Sequence, residues 1–590
     1  NGFSDISALA QRTHTKMGAN RDETSHPSKK AKVAADGGDT AFPSDYEIVE
    51  KDSENRFFSY STGFNRRWVG TNLEAVYIIY TPEGARAAFE EATNKFGAGT
   101  VRVQSGGHCY EDFVFDENTK AVLQVSQLLD WGVDPDRGYF LSSGDTNWGA
   151  FKKLFAVGKV LPAGSCYSVG LGGHICGGGD GILSRLNGVT VDWLTGVEVV
   201  VKPTETEEAK LIYVSKDSTD TDHRDLWWAH TGGGGGNFGV ITRYFFKTLP
   251  DVPKGAVTSN IGFDWSKLTE DTLYDVLKWY FEFAQKEDNR ASSGKFQINH
   301  EAAGEFQMYL QTAYFDDEGR EKALEYHAQM ERELEDVCGH VIKAGGCTQA
   351  LTGHGFPLFR KKCKPKSVVK GGNGDAFENK GGQDFTFYES TQTMNMSGPN
   401  QRGKYKSAYH TQPFDRQMVH DMFTALKFTP PDLCLDDMKQ SLIQVDCFGG
   451  AINDKSPTET VIAQRKYFVK LQFQTYWTEK ADDSKHLKWI RDAYESVYRR
   501  WGGVPDPFKG PPMDKTKPVD ESPFEGCYYN YPDVDLNEWN NGKWGALTLY
   551  FLDNFQKNKR NLVDIKKRWD PHGYFQHAQS IPDTKSPLTM

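Results

Sequence analysis

Three dense clusters of glycine between residues 105 and 242 constrain the fold of this chain more than any other feature of its sequence. The densest holds seven glycines between Gly170 and Gly181. A regular helix or strand does not tolerate that density, because each interior glycine costs ~0.5–1 kcal/mol relative to alanine. We therefore expect this stretch to line a site where bare backbone approaches a ligand.

The other two clusters lie beside predicted strands. One is the turn Ser105-Gly106-Gly107, and the other is the run 232–236, which leads into a strand that begins at Val240. Backbone N–H groups in such turns hold phosphate groups, and glycine lets the anion approach closely. Taken alone, the Ser105-Gly106-Gly107 cluster is equally consistent with a plain tight turn. The three together predict one extended dinucleotide, although the densest lacks the βαβ context of a nicotinamide site.

Composition excludes several classes of protein. The chain has 80 acidic and 69 basic residues, a net charge of −11, and no polybasic face, which argues against nucleic-acid binding. No apolar run approaches the ~20 residues of a membrane span, so no membrane insertion is expected. The nine cysteines form no CxxC pair, so neither a metal site nor a dense disulfide scaffold is predicted.

Changes in periodicity predict where folded domains begin and end. Residues 1–44 are polar and are predicted to form a disordered tail. From about residue 45 short apolar strands alternate with helices, and after about residue 252 long amphipathic helices separate strands. The individual predictions are strands over 75–80, 100–103 and 240–246, a strand-rich segment over 188–201, and helical segments over 82–96, 270–285, 320–337 and 544–575. Two domains are the simplest account.

Three local features bear on where the protein works. The basic run Lys29-Lys30-Ala31-Lys32-Val33 resembles a nuclear-import signal, but a solvated tail is the preferred interpretation. The charged stretch 361–382 is predicted to be a surface loop. Asn395-Met396-Ser397 is a glycosylation sequon, which suits a surface loop of a secreted protein, although random matches are common. The compartment stays open, with an extracellular location as the preferred expectation.

Two motifs in the glycine clusters carry a family resemblance. The Ser-Gly-Gly-His motif ending at His108 and the Gly-x-Cys motif ending at Cys166 resemble those of the vanillyl-alcohol oxidase superfamily, in its berberine-bridge-enzyme-like branch. The resemblance implies FAD bound covalently, with His108 on the 8α-methyl carbon of the flavin and Cys166 on C6. The alternatives are a histidine in a surface turn and a small buried cysteine. Further FAD contacts are implied at Arg102, Ser105, Gly106, Gly107, Cys109, Gly164, Val169, Gly170, Gly173, His174, Gly177, Gly178, Val240 and Asn530.

A narrower resemblance, to the carbohydrate oxidases of that branch, covers about residues 45–582. It is carried by three segments, 63–68, 397–409 and 524–536. It implies an α+β fold of two domains, with a PCMH-type FAD-binding domain over 45–252 that is completed by the C-terminal segment 541–590. A substrate domain over 253–540 is expected to be built on an antiparallel sheet flanked by helices, with the cofactor at the interface.

The resemblance also implies a reaction. The expected substrate is an aldose or short oligosaccharide, oxidised at its anomeric C1 hydroxyl to a lactone, while molecular oxygen is reduced to hydrogen peroxide. The residue three positions after the flavin-linked cysteine controls oxygen access in this family, with valine admitting oxygen and leucine excluding it. Val169 occupies that position, so an oxidase is expected.

Five residues are candidates for the catalytic machinery. The Tyr-x-Asn-Tyr motif supplies Tyr528 and Tyr531 as candidate bases, with Tyr528 preferred and Tyr531 left open. A free tyrosine has a pKa of ~10, so it needs assistance near neutral pH. The resemblance pairs the tyrosine with Asp446, whose alternative role is to cap the turn at residues 449–450. On a strand Lys470 and Gln472 share one face. There Lys470 could favour a tyrosinate and Gln472 could hydrogen-bond the sugar, or, if that face is exposed to solvent, both are surface residues.

Two other functions compete with this interpretation. Relatives in the branch oxidise alcohols of glycosylated secondary metabolites, either as oxidases or as dehydrogenases. The other alternative is a protein that holds flavin or sugar without turnover, and the intact set of Tyr528, Tyr531 and Asp446 argues against it.

Overall fold

A computed structural model describes residues 44–52, 54–343, 382–393, 400–508 and 522–585. The predicted N-terminal tail before residue 44, the predicted surface loop up to residue 381 and the sequon at Asn395 lie outside the described residues.

The first part of the chain forms two small sheets. The four-stranded sheet has the order β1–β2–β4–β3, in which β2, β4 and β3 are parallel; the five-stranded sheet has the order β5–β6–β9–β7–β8 and is antiparallel. The strands are β1 Tyr46–Glu50, β2 Ala75–Ile79, β3 Val101–Gln104, β4 Ala121–Gln124, β5 Trp131–Asp134, β6 Gly138–Ser142, β7 Gly196–Val201, β8 Lys210–Ser215 and β9 Val240–Phe246. The helices are α1 Glu54–Tyr60, α2 Pro82–Phe96, α3 Asn147–Phe155, α4 Leu171–Cys176, α5 Ser184–Asn187 and α6 Thr221–Ala229.

Local sequence signals explain several of these boundaries. Helix α2 begins where the Thr81 hydroxyl accepts a hydrogen bond from the Gly84 N–H, with Pro82 at the first helical position, and it ends before Gly97 at φ 93°. The strands predicted at 75–80, 100–103 and 240–246 and the helix at 82–96 are confirmed.

The strand-rich segment predicted at 188–201 is wrong in its first half. Gly188 has φ 76°, residues 190–192 form a 3₁₀ turn, and β7 begins only at Gly196. The Asp192 carboxylate accepts a hydrogen bond from the Val189 N–H at 2.9 Å, which favours a local turn over a strand. Val189 and Val191 are buried within that turn. Buried valines are also typical of a strand, so composition alone did not distinguish the turn from a strand.

The second part of the chain is built on a seven-stranded antiparallel sheet of order β13–β10–β12–β11–β15–β16–β14. Its strands are β10 Gly255–Asp264, β11 Ser292–Asn299, β12 Glu305–Tyr314, β13 Gln383–Thr386, β14 Arg402–His410, β15 Leu442–Cys447 and β16 Val469–Trp477. The helices of this part are α7 Glu270–Gln285, α8 Asp317–Cys338, α9 Phe387–Thr393, α10 Arg416–Lys427 and α11 Asp483–Tyr498. The helices predicted at 270–285 and 320–337 are confirmed, as is the α+β class.

The C-terminal segment returns to the first part of the chain. It contains α12 Lys543–Phe551 and α13 Leu562–Trp569, which confirms its mainly helical character. Beyond α13 the Phe575 ring stacks on Phe89 of α2, with 5.2 Å between ring centroids. This contact joins the C-terminal segment to the first part of the chain, and the division into domains stays a prediction. Among the described residues, no helix has the length and apolar content of a membrane span.

Candidate active site

All three glycine clusters line a single cavity of about 320 Å³, and the opposite wall is one face of the seven-stranded sheet. The predicted residues that line it are His108, Cys166, Arg102, Ser105, Gly106, Gly107, Cys109, Gly164, Val169, Gly170, Gly173, His174, Asn530, Tyr528, Tyr531, Asp446 and Gln472. Of the predicted residues, Gly177, Gly178, Val240 and Lys470 are not part of its lining. Val240 is part of the hydrophobic core under the first sheet.

Glycine is required where two of the clusters meet. A Cβ atom on Gly106 would lie 2.4 Å from the Gly170 backbone nitrogen, and a Cβ atom on Gly170 would lie 2.3 Å from that of Gly106. The two backbones therefore pack directly against each other. A Cβ atom on Gly173 would meet nothing within 4 Å, so at this position bare backbone faces open space in the cavity.

Four polar atoms in the cavity wall lack an internal partner. Arg102 Nε, Ser143 Oγ, Asn147 Oδ1 and His577 Nε2 are buried and have no hydrogen-bond partner among the described residues. Such atoms are rare in folded proteins, because an unsatisfied buried polar group costs free energy. Donors and acceptors along a glycine-lined cleft fit the pyrophosphate and polar ring atoms of FAD.

His108 lies in the cavity wall as an uncharged imidazole. Its ring stacks on Phe64 with 4.7 Å between centroids, and its Nε2 atom lies 2.9 Å from Ser168 Oγ. Burial lowers the pKa of His108 to about 4, so the imidazole is neutral at physiological pH. Cys166 lines the same cavity, and its carbonyl oxygen accepts a hydrogen bond from the Asn147 amide at 3.1 Å.

The tyrosine motif forms the end of the cavity beside the sheet. The rings of Tyr528 and Tyr531 lie 5.0 Å apart at an interplanar angle of 75°. Asn530 donates to the Tyr528 hydroxyl at 3.0 Å and to the His174 carbonyl at 2.9 Å. Burial is the main reason that the pKa of each tyrosine is raised well above its usual value.

Gly177 has a structural role, because a Cβ atom there would lie 1.9 Å from Asn530 Oδ1. We expect Gly177→Ala to displace the Asn530 side chain and to lower the free energy of unfolding by about 1–3 kcal/mol, as measured by denaturant unfolding. Gly339→Ala is the control, because its Cβ atom would approach nothing closer than 3.9 Å. Equal stability of the two variants would contradict this role of Gly177.

A buried ion network fixes the loop that carries the tyrosines. Lys404 and Lys406 of β14 each contact Asp533 at 2.7 Å, and Lys404 also pairs with Glu111. Attraction from these carboxylates outweighs burial and raises the pKa of Lys404 above its usual value. None of these four residues is predicted from the sequence, although the Lys-x-Lys and Asp-x-Asp spacings are the signal that could have found them.

The predicted sheet face is buried, so the alternative in which Lys470 and Gln472 lie in solvent is wrong: they are 0% and 4% exposed. Gln472 donates to the Tyr110 hydroxyl at 3.3 Å. Asp446 pairs with Lys295 at 3.0 Å and accepts hydrogen bonds from Gln444 at 2.9 and 3.0 Å. The Asp446 carboxylate thus points along the sheet, and these bonds, rather than cap bonds at the 449–450 turn, hold it.

Lys470 contacts the rings of both tyrosines without lining the cavity itself. Its ammonium lies 4.4 Å from the ring centroid of Tyr528 and 4.6 Å from that of Tyr531, and it pairs with Asp180 at 2.5 Å. Asp180 and Lys295 line the cavity, and sequence reasoning missed both.

The fold and the site define a FAD-dependent oxidoreductase. Residues 75–208 match the family "FAD binding domain", and residues 527–582 match the family "Berberine and berberine like". The chain belongs to the berberine-bridge-enzyme-like family of FAD-linked oxidases, as its similarity to whole members shows.

Three proteins illustrate that similarity. Hexose oxidase of Chondrus crispus is 52% identical over 533 residues, covering 90% of this chain and 94% of that protein. Aclacinomycin-N/aclacinomycin-A oxidase of Streptomyces galilaeus is 31% identical, covering 94% and 93%. The crystal structure of a glycopeptide hexose oxidase complexed with teicoplanin aligns with a TM-score of 0.72 at 26% identity, covering 91% of this chain and 98% of that one.

Proposed function

We propose that this protein is a carbohydrate oxidase that converts the anomeric C1 hydroxyl of an aldose or short oligosaccharide to a lactone, with reduction of oxygen to hydrogen peroxide. The observation that carries the proposal is the buried polar face opposite the glycine clusters, where two tyrosines, a carboxylate and amide groups meet in one cavity. The similarity to a hexose oxidase over 90% of the chain supports the choice of sugar as substrate.

The oxidation requires removal of a hydride from C1 and of a proton from its hydroxyl. Bound FAD supplies the acceptor for the hydride. The chain must supply the base that takes the proton. Separately, Asn147, Ser143 and Arg102 offer hydrogen-bonding atoms that would hold the cofactor. The amides of Gln472 and Gln474 line the cavity on the sheet side and would orient the sugar hydroxyls.

The geometry favours Tyr531 over Tyr528 as the base, the reverse of the preference drawn from the sequence. The Tyr528 hydroxyl accepts a hydrogen bond from the Asn530 amide at 3.0 Å. A hydroxyl oxygen has two lone pairs, so one of the two on Tyr528 is already engaged within the protein. The Tyr531 hydroxyl has no hydrogen-bond partner among the described residues, and its side chain is only partly buried.

His108 and Cys166 are the proposed attachment points of the FAD. Both line the cavity, in the motifs that carry this role in the family. The neutral imidazole of His108 has a lone pair available for bond formation, since burial lowers its pKa to about 4.

Val169 is proposed to admit oxygen, since it lines the cavity three residues after Cys166. We expect Val169→Leu to slow reoxidation of the reduced enzyme by air by about tenfold or more, which corresponds to ~1.4 kcal/mol in the barrier. Anaerobic reduction by sugar should be unchanged, and stopped-flow absorbance measures both steps. Unchanged reoxidation would remove Val169 from the oxygen path.

A second candidate function is oxidation of an alcohol on a glycosylated metabolite. The similarity to aclacinomycin oxidase favours it. Product analysis separates the two functions: a carbohydrate oxidase converts glucose, galactose or a disaccharide to the corresponding aldonic acid after the lactone hydrolyses. Absence of aldonic acid with every sugar would favour the metabolite oxidase.

A further inference from the structure

One buried ion pair lies beside the tyrosines, and the function described so far gives no role to its acidic member, Asp180. Asp180 is in the densest glycine cluster and Lys470 is on β16, and their charged atoms lie 2.5 Å apart. The two residues are 7% and 0% exposed. Taking two charges out of water is expensive, and replacing such a pair with apolar residues is often neutral or stabilising, so stability alone does not explain its presence.

The pair contacts both tyrosines. The Lys470 ammonium lies within ~6 Å of two ring centroids, the range of a cation–π interaction, at 4.4 Å for Tyr528 and 4.6 Å for Tyr531. Asp180 also lines the cavity, as both tyrosines do. A single ion pair therefore joins the glycine cluster, the sheet and the tyrosine loop.

The two charges act on the tyrosines in opposite senses. Burial raises the pKa of both tyrosines, and the Asp180 carboxylate is a further cause of the rise. A nearby ammonium favours the ionised phenolate and so acts the other way.

We propose that Asp180 is a positioning residue of the active site: it holds the Lys470 ammonium against the rings of Tyr528 and Tyr531, and the balance of the two charges sets how readily the tyrosine pair accepts a proton. This proposal rests on the proposed function, because it assumes that a tyrosine of this pair is the base. Neither Asp180 nor Lys470 is required to touch the sugar.

Other titratable groups face the tyrosines from the surrounding elements. They are Asp446 of β15, its partner Lys295 of β11, Tyr409 of β14, His174 of α4, Tyr110 and Tyr467. All of them remain unchanged when Asp180 or Lys470 is replaced. A shift that changes sign between the two variants therefore comes from the ion pair.

The test compares Asp180→Asn with Lys470→Met. The rate of anaerobic flavin reduction by D-glucose is measured as a function of pH. We expect the acidic limb of the profile to move to lower pH in Asp180→Asn and to higher pH in Lys470→Met, by about one unit or more. The double variant, which lacks both charges, should return toward the wild-type profile, and Lys470→Arg, which keeps the cation, should stay close to it.

A control and a second readout separate this effect from general damage. Glu90→Gln breaks another buried lysine pair, that of Lys202 at 2.6 Å, and it should leave the profile unchanged. The second readout is the near-ultraviolet absorbance of tyrosinate, titrated in each variant. It follows the same ionisation without turnover, so it can also be measured in a variant that folds but does not react.

Shifts in the same direction in both variants, or no shift in either readout, would overturn the proposal. If no sugar reduces the wild-type flavin, the proposed function fails. In that case opposite shifts in the absorbance titration would still support control of the tyrosines by the ion pair.

Discussion

Replacing Tyr531 with phenylalanine is expected to slow anaerobic flavin reduction by sugar about 10²- to 10⁴-fold, the range typical of the loss of a general base. The substitution removes a hydroxyl that has no hydrogen-bond partner in the described part of the chain, and it keeps the ring that packs against Tyr528 and Lys470. Binding of the flavin and of the sugar should change little, so the loss falls on the rate and not on KM. Stopped-flow reduction at several sugar concentrations measures both.

The matched control is Tyr528→Phe. Its hydroxyl accepts a hydrogen bond from Asn530, so we expect a smaller loss of rate, accompanied by a lower melting temperature. The reverse order, in which Tyr528→Phe abolishes reduction and Tyr531→Phe barely affects it, would assign the base to Tyr528.

The second large effect concerns attachment of the cofactor. The wild-type protein is expected to keep its FAD after unfolding in acid or detergent, and each of His108→Ala and Cys166→Ala should keep it by the remaining bond. The double variant should release all of it. Intact mass and flavin fluorescence of the denatured chain measure the attached fraction.

Cys109→Ala is the control for this experiment. Cys109 lines the same cavity, but burial raises the pKa of its thiol to about 12, so it stays a protonated, weakly reactive thiol. Its replacement should leave attachment intact. Release of FAD from the unfolded wild-type protein would contradict covalent attachment altogether.

Features that depend on neighbouring residues were predictable from the sequence. The glycine clusters predict a cavity, because positions such as Gly106 and Gly170 permit a backbone contact that no other residue allows. Helix α2 is predictable for the same reason, since Thr81 and Pro82 define its start. The alternation on β16 correctly places Lys470 and Gln472 on one face.

Features that join distant parts of the chain were not predictable. Asp180 and Lys470 are 290 positions apart, and Lys404 and Glu111 are 293 apart, so no local pattern pairs them. Each residue alone has the appearance of an ordinary charged residue in a turn or strand. Only the packing of the glycine cluster and the tyrosine loop against the sheet brings these charges together.

The most direct test of the carbohydrate oxidase assignment is anaerobic addition of D-glucose, D-galactose and a disaccharide to the purified yellow protein, followed by admission of air. The visible absorbance of the flavin and the hydrogen peroxide formed are measured together. We predict that at least one sugar bleaches the flavin, and that air restores its colour with one peroxide per reduced flavin. A flavin that stays yellow with every sugar would contradict the assignment.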